Sequence, residues 1–418
     1  MNLEKKIYVF ADFYPFDNEL IGTLFVSQVR GKELFSFEYN KDWLTRGNFL
    51  LDPGLELYMG RQYPATEQNL FGIFTDSCPD RWGRRLMNRR EELRARASNE
   101  KPAKLMESDF LLGVYDESRM GGLRFKTDID GDYLANDSEY ATPPWTSLRE
   151  LEQASLSFEE DRTYEEKWLK QLLAPGSSLG GARPKASVLA PDGSLWIAKF
   201  PSKNDDFDMG AWEMVAHDLA KMCGLNAPEA QIKKFSSLGS TYLVKRFDRE
   251  GKNRIHFASA MTMLGKSDGA GFEDGSSYLD IASFIKSNGA KPRNDLAELW
   301  KRIVFSMAIS NTDDHLRNHG FLLNIEGWVL SPLYDVNPDI YGEYLSLNID
   351  VSSSAIDFDL IISASKYYGI DAKHATEAVK EITEIVKKNW QRLANKYGIS
   401  KNEIDRMHPA FMKAEEYL

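Results

Sequence analysis

Asn311-Thr312-Asp313-Asp314-His315-Leu316-Arg317-Asn318-His319-Gly320 is the stretch on which the reading of this chain turns. It follows the apolar run Ile303 to Ile309 and precedes the apolar Phe321-Leu322-Leu323. Two carboxylates, two imidazoles and two carboxamides therefore crowd one turn between segments that favour burial. Solvated loops are polar too, but polar groups between two buried runs must be partnered or put to use. Asp313 and Asn318 are spaced D-x₄-N. That is the spacing of a kinase catalytic loop, where the aspartate orients the acceptor hydroxyl and the carboxamide oxygen binds Mg²⁺.

Working outward, Leu330-Ser331-Pro332-Leu333-Tyr334-Asp335-Val336 begins as a strand and ends in a third acid. A short strand pair between Asn318 and Asp335 would return Asp335 beside Asn318. Two hard oxygen donors there suit octahedral Mg²⁺. Asp335 takes the place of the aspartate of D-F-G, a tripeptide this sequence lacks.

Upstream, Lys199 lies in Leu195-Trp196-Ile197-Ala198-Lys199-Phe200. Such a lysine either snorkels outward or faces a cleft. The glycine-rich Gly176-Ser177-Ser178-Leu179-Gly180-Gly181-Ala182-Arg183-Pro184-Lys185 and the turn Pro191-Asp192-Gly193-Ser194 precede it. A helix from Met209 to Cys223 follows, with Gly224 as its cap and Glu213 available to hold the ammonium. Loop, strand, turn and strand with lysine is the order that brings backbone N–H groups and one cation to ATP phosphates. The loop alone is weak evidence, because it matches neither G-x-G-x-x-G nor G-x-x-x-x-G-K-[ST]. A zinc reading of His315 and His319 lacks the glutamate of H-E-x-x-H and a nearby cysteine. A Ser-His-Asp hydrolase would need G-x-S-x-G, which is absent.

The 418 residues exceed what one core usually supports, and 42% hydrophobic with 12% aromatic residues can fill packed lobes. A net charge of −11 disfavours unaided nucleic-acid binding. The basic run Arg81, Arg84, Arg85, Arg89, Arg90, Arg94 and Arg96 is a local exception, read as a solvated helix face. Cys78 and Cys223 form no C-x-x-C and are read as reduced thiols. The start of the chain lacks a signal-peptide core, and no apolar run is long enough to span a membrane. The expectation is a soluble, cytoplasmic protein.

Strands are expected at Ile7 to Ala11, Leu20 to Val29 and Glu33 to Tyr39, and a helical stretch from Asn69 to Met87. Lys126 to Pro144 reads as a loop and Leu148 to Leu173 as a helix. Strands Ala186 to Ala190, Leu195 to Phe200, Ala230 to Phe235 and Thr241 to Phe247 follow. Asp295 to Ile309 and Ala372 to Tyr397 are the clearest helices. The fold class expected is α+β, a protein-kinase-like two-lobed fold with a β-rich N-terminal lobe and a mostly helical C-terminal lobe. The expected divisions are an N-terminal subdomain over 1–145, a small-lobe core over 146–250 and a helical lobe over 251–418.

Gly-Gly-Ala-Arg-Pro-Lys, Trp-Ile-Ala-Lys-Phe-Pro, Val-Lys-Arg-Phe-Asp-Arg, Asn-Thr-Asp-Asp-His-Leu-Arg-Asn and Leu-Ser-Pro-Leu-Tyr-Asp-Val-Asn-Pro occur in that order. Together they resemble the HipA family of bacterial toxin kinases, and Phe71 to Arg84 resembles that family's first subdomain. The resemblance implies that Asp313 is the catalytic aspartate and that Asn318 and Asp335 hold Mg²⁺. It implies that Lys199 contacts the α- and β-phosphates of ATP and that Gly180, Gly181, Ala182, Arg183, Pro184 and Lys185 cover them. Lys245, Arg246 and Phe247 would lie along the adenine edge, giving backbone hydrogen bonds. His315, Leu316, Arg317, Asn318 and Tyr334 would complete the nucleotide pocket. Ser178, with Ser177 beside it, would be the autophosphorylated residue whose added charge silences the loop. The implied partners are a protein substrate, in relatives an aminoacyl-tRNA synthetase, and a HipB-like helix-turn-helix antitoxin through which DNA is met indirectly. Two rival readings are a small-molecule kinase of the same fold and a chain acting mainly as corepressor of such an antitoxin.

Overall fold

The computed structural model describes residues 4–46, 50–136, 142–160, 172, 181 and 183–417. Contacts divide the chain into two units: Met1–Lys199 with Arg246–Ser267 and Leu323–Ile325, and Phe200–Lys245 with Asp268–Leu322 and Glu326–Leu418.

In the first unit, strands β1 (Lys5–Phe13), β2 (Phe16–Val29), β3 (Lys32–Tyr39) and β4 (Leu123–Lys126) form an antiparallel sheet of order β3-β2-β1-β4. Alternation along β1 buries Ile7, Val9, Ala11 and Phe13, and along β3 buries Phe35, Phe37 and Tyr39. Phe74, on the short helix Gly72–Asp76, fills the space between Phe37 and Phe125, with ring centroids 5.6 and 6.2 Å away. β4 falls partly in the stretch read as a loop; its four residues are too few to show a period against the polar sequence that follows.

The helical stretch from Asn69 to Met87 is two helices, Gly72–Asp76 and Arg81–Ala97, broken at Pro79. The Asp80 side chain caps the second by accepting from the Gly83 amide at 2.8 Å. The basic run is a helix face laced with acids. Arg84 makes two bonds to Glu107, at 2.7 and 2.8 Å, and Arg94 makes two to Glu91, both 2.8 Å. The unit closes with the antiparallel hairpin β5 (Lys185–Leu189) and β6 (Leu195–Lys199), turning through Gly193 at φ 83°.

In the second unit, Asp208 caps the helix Met209–Met222, and Gly224 beyond its end takes φ 74°, as expected of a C′ glycine. Strands β7 (Ala230–Lys233) and β8 (Thr241–Lys245) pair antiparallel. The long helices are Pro292–Ala308 and Ala372–Lys396. Trp390 stacks on Phe411 at 4.3 Å, and Trp212 stands 6.1 Å from the same ring, so aromatic packing ties the 209–222 helix to the C-terminal helices. Sheets and helices thus mix in an α+β fold. Among the described residues no helix is long and apolar enough to cross a membrane.

Candidate active site

The loop after the helix Pro292–Ala308 is held from inside by Asp314, which is 3% exposed. Its carboxylate accepts from the Tyr278 hydroxyl at 2.8 Å and the Ser306 hydroxyl at 3.2 Å, and lies 2.9 Å from Nε2 of His319. Burial alone would raise its pKa; His319 and the two hydroxyls outweigh that and hold it below the ordinary value. Asp314 and His319 are therefore internal struts. This gives His319 a structural task in place of the metal-ligand role the zinc reading would require.

With that anchor set, Asp313 turns outward and is exposed. Its carboxyl is raised above the usual value, by partial burial first and then by the facing carboxylates of Asp335, Asp314 and Asp339, with His315 opposing. The next residues make one tight turn. His315 N–H donates to the Asp313 carbonyl and Asn318 N–H to the His315 carbonyl, both at 2.9 Å. The Asn318 Nδ2 also donates to the Asp313 carbonyl, at 2.9 Å. That bond fixes which end of the carboxamide is which. Its Oδ1 is buried and has no hydrogen-bond partner among the described residues. Buried carbonyl oxygens are nearly always partnered, so this one is open to a ligand.

Asp335 is returned to this turn as the hairpin reading expected. Strands Gly320–Asn324 and Gly327–Leu330 follow the loop, the Ser331 amide donates to the Gly320 carbonyl at 2.8 Å, and the Tyr334 hydroxyl donates to the Arg317 carbonyl at 2.8 Å. So the residues just before Asn318 and Asp335 are bonded to each other. Asp335 has φ 57°, a left-handed conformation that aspartate tolerates better than most residues. Non-glycine residues persist there when the surroundings impose it, commonly at functional sites. A small open pocket is lined by Glu213, His217, Tyr242, Leu333, Tyr334 and Asp335. Burial, with Glu213 and Asp335 adding to it, raises the Tyr242 phenol well above its ordinary value.

The segment beyond Asp335 braces the loop. Thr312 Oγ1 donates to Asp339 at 2.5 Å and Ser346 Oγ donates to the Thr312 carbonyl at 2.7 Å. A Cβ at Gly342 would meet Thr312 Oγ1 at 2.1 Å and Thr312 Cβ at 2.5 Å. Gly342→Ala is therefore expected to cost about 1–3 kcal/mol, the scale of overpacking. Denaturant titration checks the loss, and an unchanged midpoint would show that the contact yields.

The remaining expected site residues are placed as follows. Lys199, half-buried, ends β6 in the first unit, while Glu213, Asp313, Asn318 and Asp335 belong to the second. Leu316 is buried, and Arg317 reaches Asp268 at 3.1 Å. Gly181 has φ 94°, the glycine-favouring region. Arg183 and Pro184 are described, whereas Ser177, Ser178, Gly180 and Ala182 lie outside the described residues. Lys185, expected over the phosphates, has its ammonium 3.0 Å from Asp80. Lys245 N–H donates to the Glu229 carbonyl and Arg246 N–H to the Leu195 carbonyl, so both amides are committed within the protein. The Arg246 guanidinium is buried on Asp248 at 2.6 Å and donates to the Ser118 carbonyl at 2.5 Å. The Phe247 ring lies 6.0 Å from that of Phe257. Tyr278, Ser306 and Gly342 were not singled out from the sequence. Only Tyr278 carried a signal, an aromatic hydroxyl opening an amphipathic helix.

The sequence profile of the HipA-like C-terminal domain matches residues 177–390, and that of the HipA N-terminal domain matches residues 15–107. Among curated relatives, a Sinorhizobium fredii (strain NGR234) protein whose name carries the word kinase, Y4dM, is 24% identical over 217 residues, covering 48% of this chain and 52% of that protein. Toxin YjjJ of Escherichia coli K12 is 23% identical over 269 residues, covering 58% of this chain and 56% of its own length. This chain thus spans about half the length of the curated relatives it matches. A chain of the Shewanella oneidensis MR-1 HipA, HipB and operator DNA complex aligns with a TM-score of 0.69 at 17% identity, covering 98% of this chain and 97% of that one, a likeness of fold. The C-terminal profile takes in just over half of the 418 residues and includes Lys199, Asp313, Asn318 and Asp335; the chain belongs to the HipA family.

Proposed function

We propose that this chain is an ATP- and Mg²⁺-dependent protein serine/threonine kinase. The observation that carries the reading is the Asn318 carboxamide, with its nitrogen tied to the Asp313 carbonyl and its oxygen buried and open. A hard cation is the ligand that such an oxygen and the Asp335 carboxylate suit together. Mg²⁺ held there would screen the charge that spreads over the transferring phosphoryl oxygens.

The protein's own groups do the rest. Asp313 is exposed, and a raised pKa makes its carboxylate a better proton acceptor; it orients the Ser or Thr hydroxyl and takes its proton as the γ-phosphoryl of ATP is transferred. Lys199 contacts the α- and β-phosphates, with Glu213 steadying it, and the amides of Gly180 to Lys185 cover them. Ser178 is the autophosphorylation site. The chain partners a HipB-like helix-turn-helix antitoxin and meets DNA through it; the similar Shewanella structure is a complex of HipA, HipB and operator DNA. Its target is a protein, with an aminoacyl-tRNA synthetase a candidate.

The test is transfer of label from γ-labelled ATP to protein, with mass spectrometry of the product. Wild type should label a protein Ser or Thr, and Asp313→Asn should lose roughly 10²–10⁴ in rate, the scale of one positioned acid/base group. Equal labelling by Asp313→Asn, or label found only on small metabolites, overturns the reading.

A further inference from the structure

Asp80 lies within the matched N-terminal domain, and Lys185 within the matched C-terminal domain. The Lys185 Nζ is 3.0 Å from Asp80 Oδ2, with the two side chains 4% and 1% exposed. Two residues further on, Trp82 donates its indole N–H to the Lys185 carbonyl at 3.0 Å. One short motif thus grips Lys185 at both its ammonium and its backbone. Asp80 is itself fixed, because its other oxygen caps the helix Arg81–Ala97 through the Gly83 amide.

Gly181 lies next to this pair. A Cβ at Gly181 would stand 3.1 Å from the Lys185 Nζ, so the backbone there rests against the ammonium. Lys185 is also the direct register partner of Lys199 across β5 and β6, which puts both side chains on one face of the hairpin. A buried ammonium requires a partner, and its position here follows Asp80.

We propose that Asp80 is a positioning residue for nucleotide binding: through Lys185 it sets the position of the backbone at Gly181. The N-terminal domain thereby tunes the affinity of the proposed nucleotide site. This inference rests on the nucleotide reading above.

The test is a double-mutant cycle on the full chain. Asp80→Asn keeps a good N-cap acceptor for Gly83 and removes only the charge. Lys185→Met removes the ammonium, and the double variant leaves no charge buried alone. Asp80→Asn is expected to raise KM for ATP by on the order of 10²-fold, the cost of small misplacement, with kcat changed less. In the Lys185→Met background the same substitution should leave KM unaltered. If either single variant fails to fold, the double variant still decides: it should melt near the wild type yet bind ATP more weakly by titration calorimetry. The inference is overturned if Asp80→Asn shifts KM equally in both backgrounds, if it lowers only the melting temperature, or if the double variant binds ATP as the wild type does. Failure of the wild type to bind ATP would remove the nucleotide reading itself.

Discussion

Asp335→Asn is expected to lower phosphoryl transfer by roughly 10²–10⁴-fold, or about 3–5.5 kcal/mol of barrier. The substitution is nearly isosteric. Asparagine also tolerates the left-handed backbone that Asp335 adopts at φ 57°. The bond from the Tyr334 hydroxyl to the Arg317 carbonyl does not involve residue 335, so the hairpin should still close on the turn that carries Asn318. What is lost is the negative charge that acts on Asp313 from the segment bonded to the Asn318 turn. Single-turnover kinetics with a thermal melt on the same samples separates the two effects. A variant that turns over normally would take Asp335 out of the metal site.

The second large effect falls on stability. Asp314→Ala removes one carboxylate and strands three buried partners at once: the Tyr278 hydroxyl, the Ser306 hydroxyl and the His319 ring. Leaving a buried hydrogen-bonding group without its partner costs about 1–3 kcal/mol, and three such groups are affected. Urea unfolding at neutral pH should show a lower midpoint with little change in slope. The pH dependence has a definite sign. The folded state holds the Asp314 pKa below its ordinary value, so its contribution is complete above the unfolded value of about 3.9 and fades as pH falls through the folded one. Below about pH 4 the wild type should therefore lose stability more steeply than Asp314→Ala. Parallel curves would show that Asp314 is not held as an anion. The neighbouring acids thus differ in place: Asp313 faces outward, where the proposed chemistry would use it, and Asp314 faces inward to hold the turn.

The strands of the first sheet were legible because their faces alternate. Ile7 to Ala11 lies inside β1, and Glu33 to Tyr39 differs from β3 by one residue. The end of the helix Met209–Met222 was legible because Gly224 marked it. The spacing of Asp313, Asn318 and Asp335 was readable because a short turn and a hairpin relate them, so local geometry suffices. The pairing that sorts Asp313 from Asp314 was not readable, since it depends on Tyr278, 36 residues before Asp314. Asp80 and Lys185 are 105 residues apart in sequence, a range at which periodicity and turn chemistry say nothing. Arg246 shows the converse: its place next to the expected adenine edge drew attention, but its side chain serves Asp248 and the Ser118 carbonyl.

The handedness of the backbone at Asp335 bears on how an inert reference version of this chain should be made. Valine or isoleucine there would twist the main chain and disturb the hairpin, so lost activity could not be told from damage. Asparagine and glycine can keep the turn, and a cell that tolerates either one, but not the parent, would trace any harm to the transferred group alone.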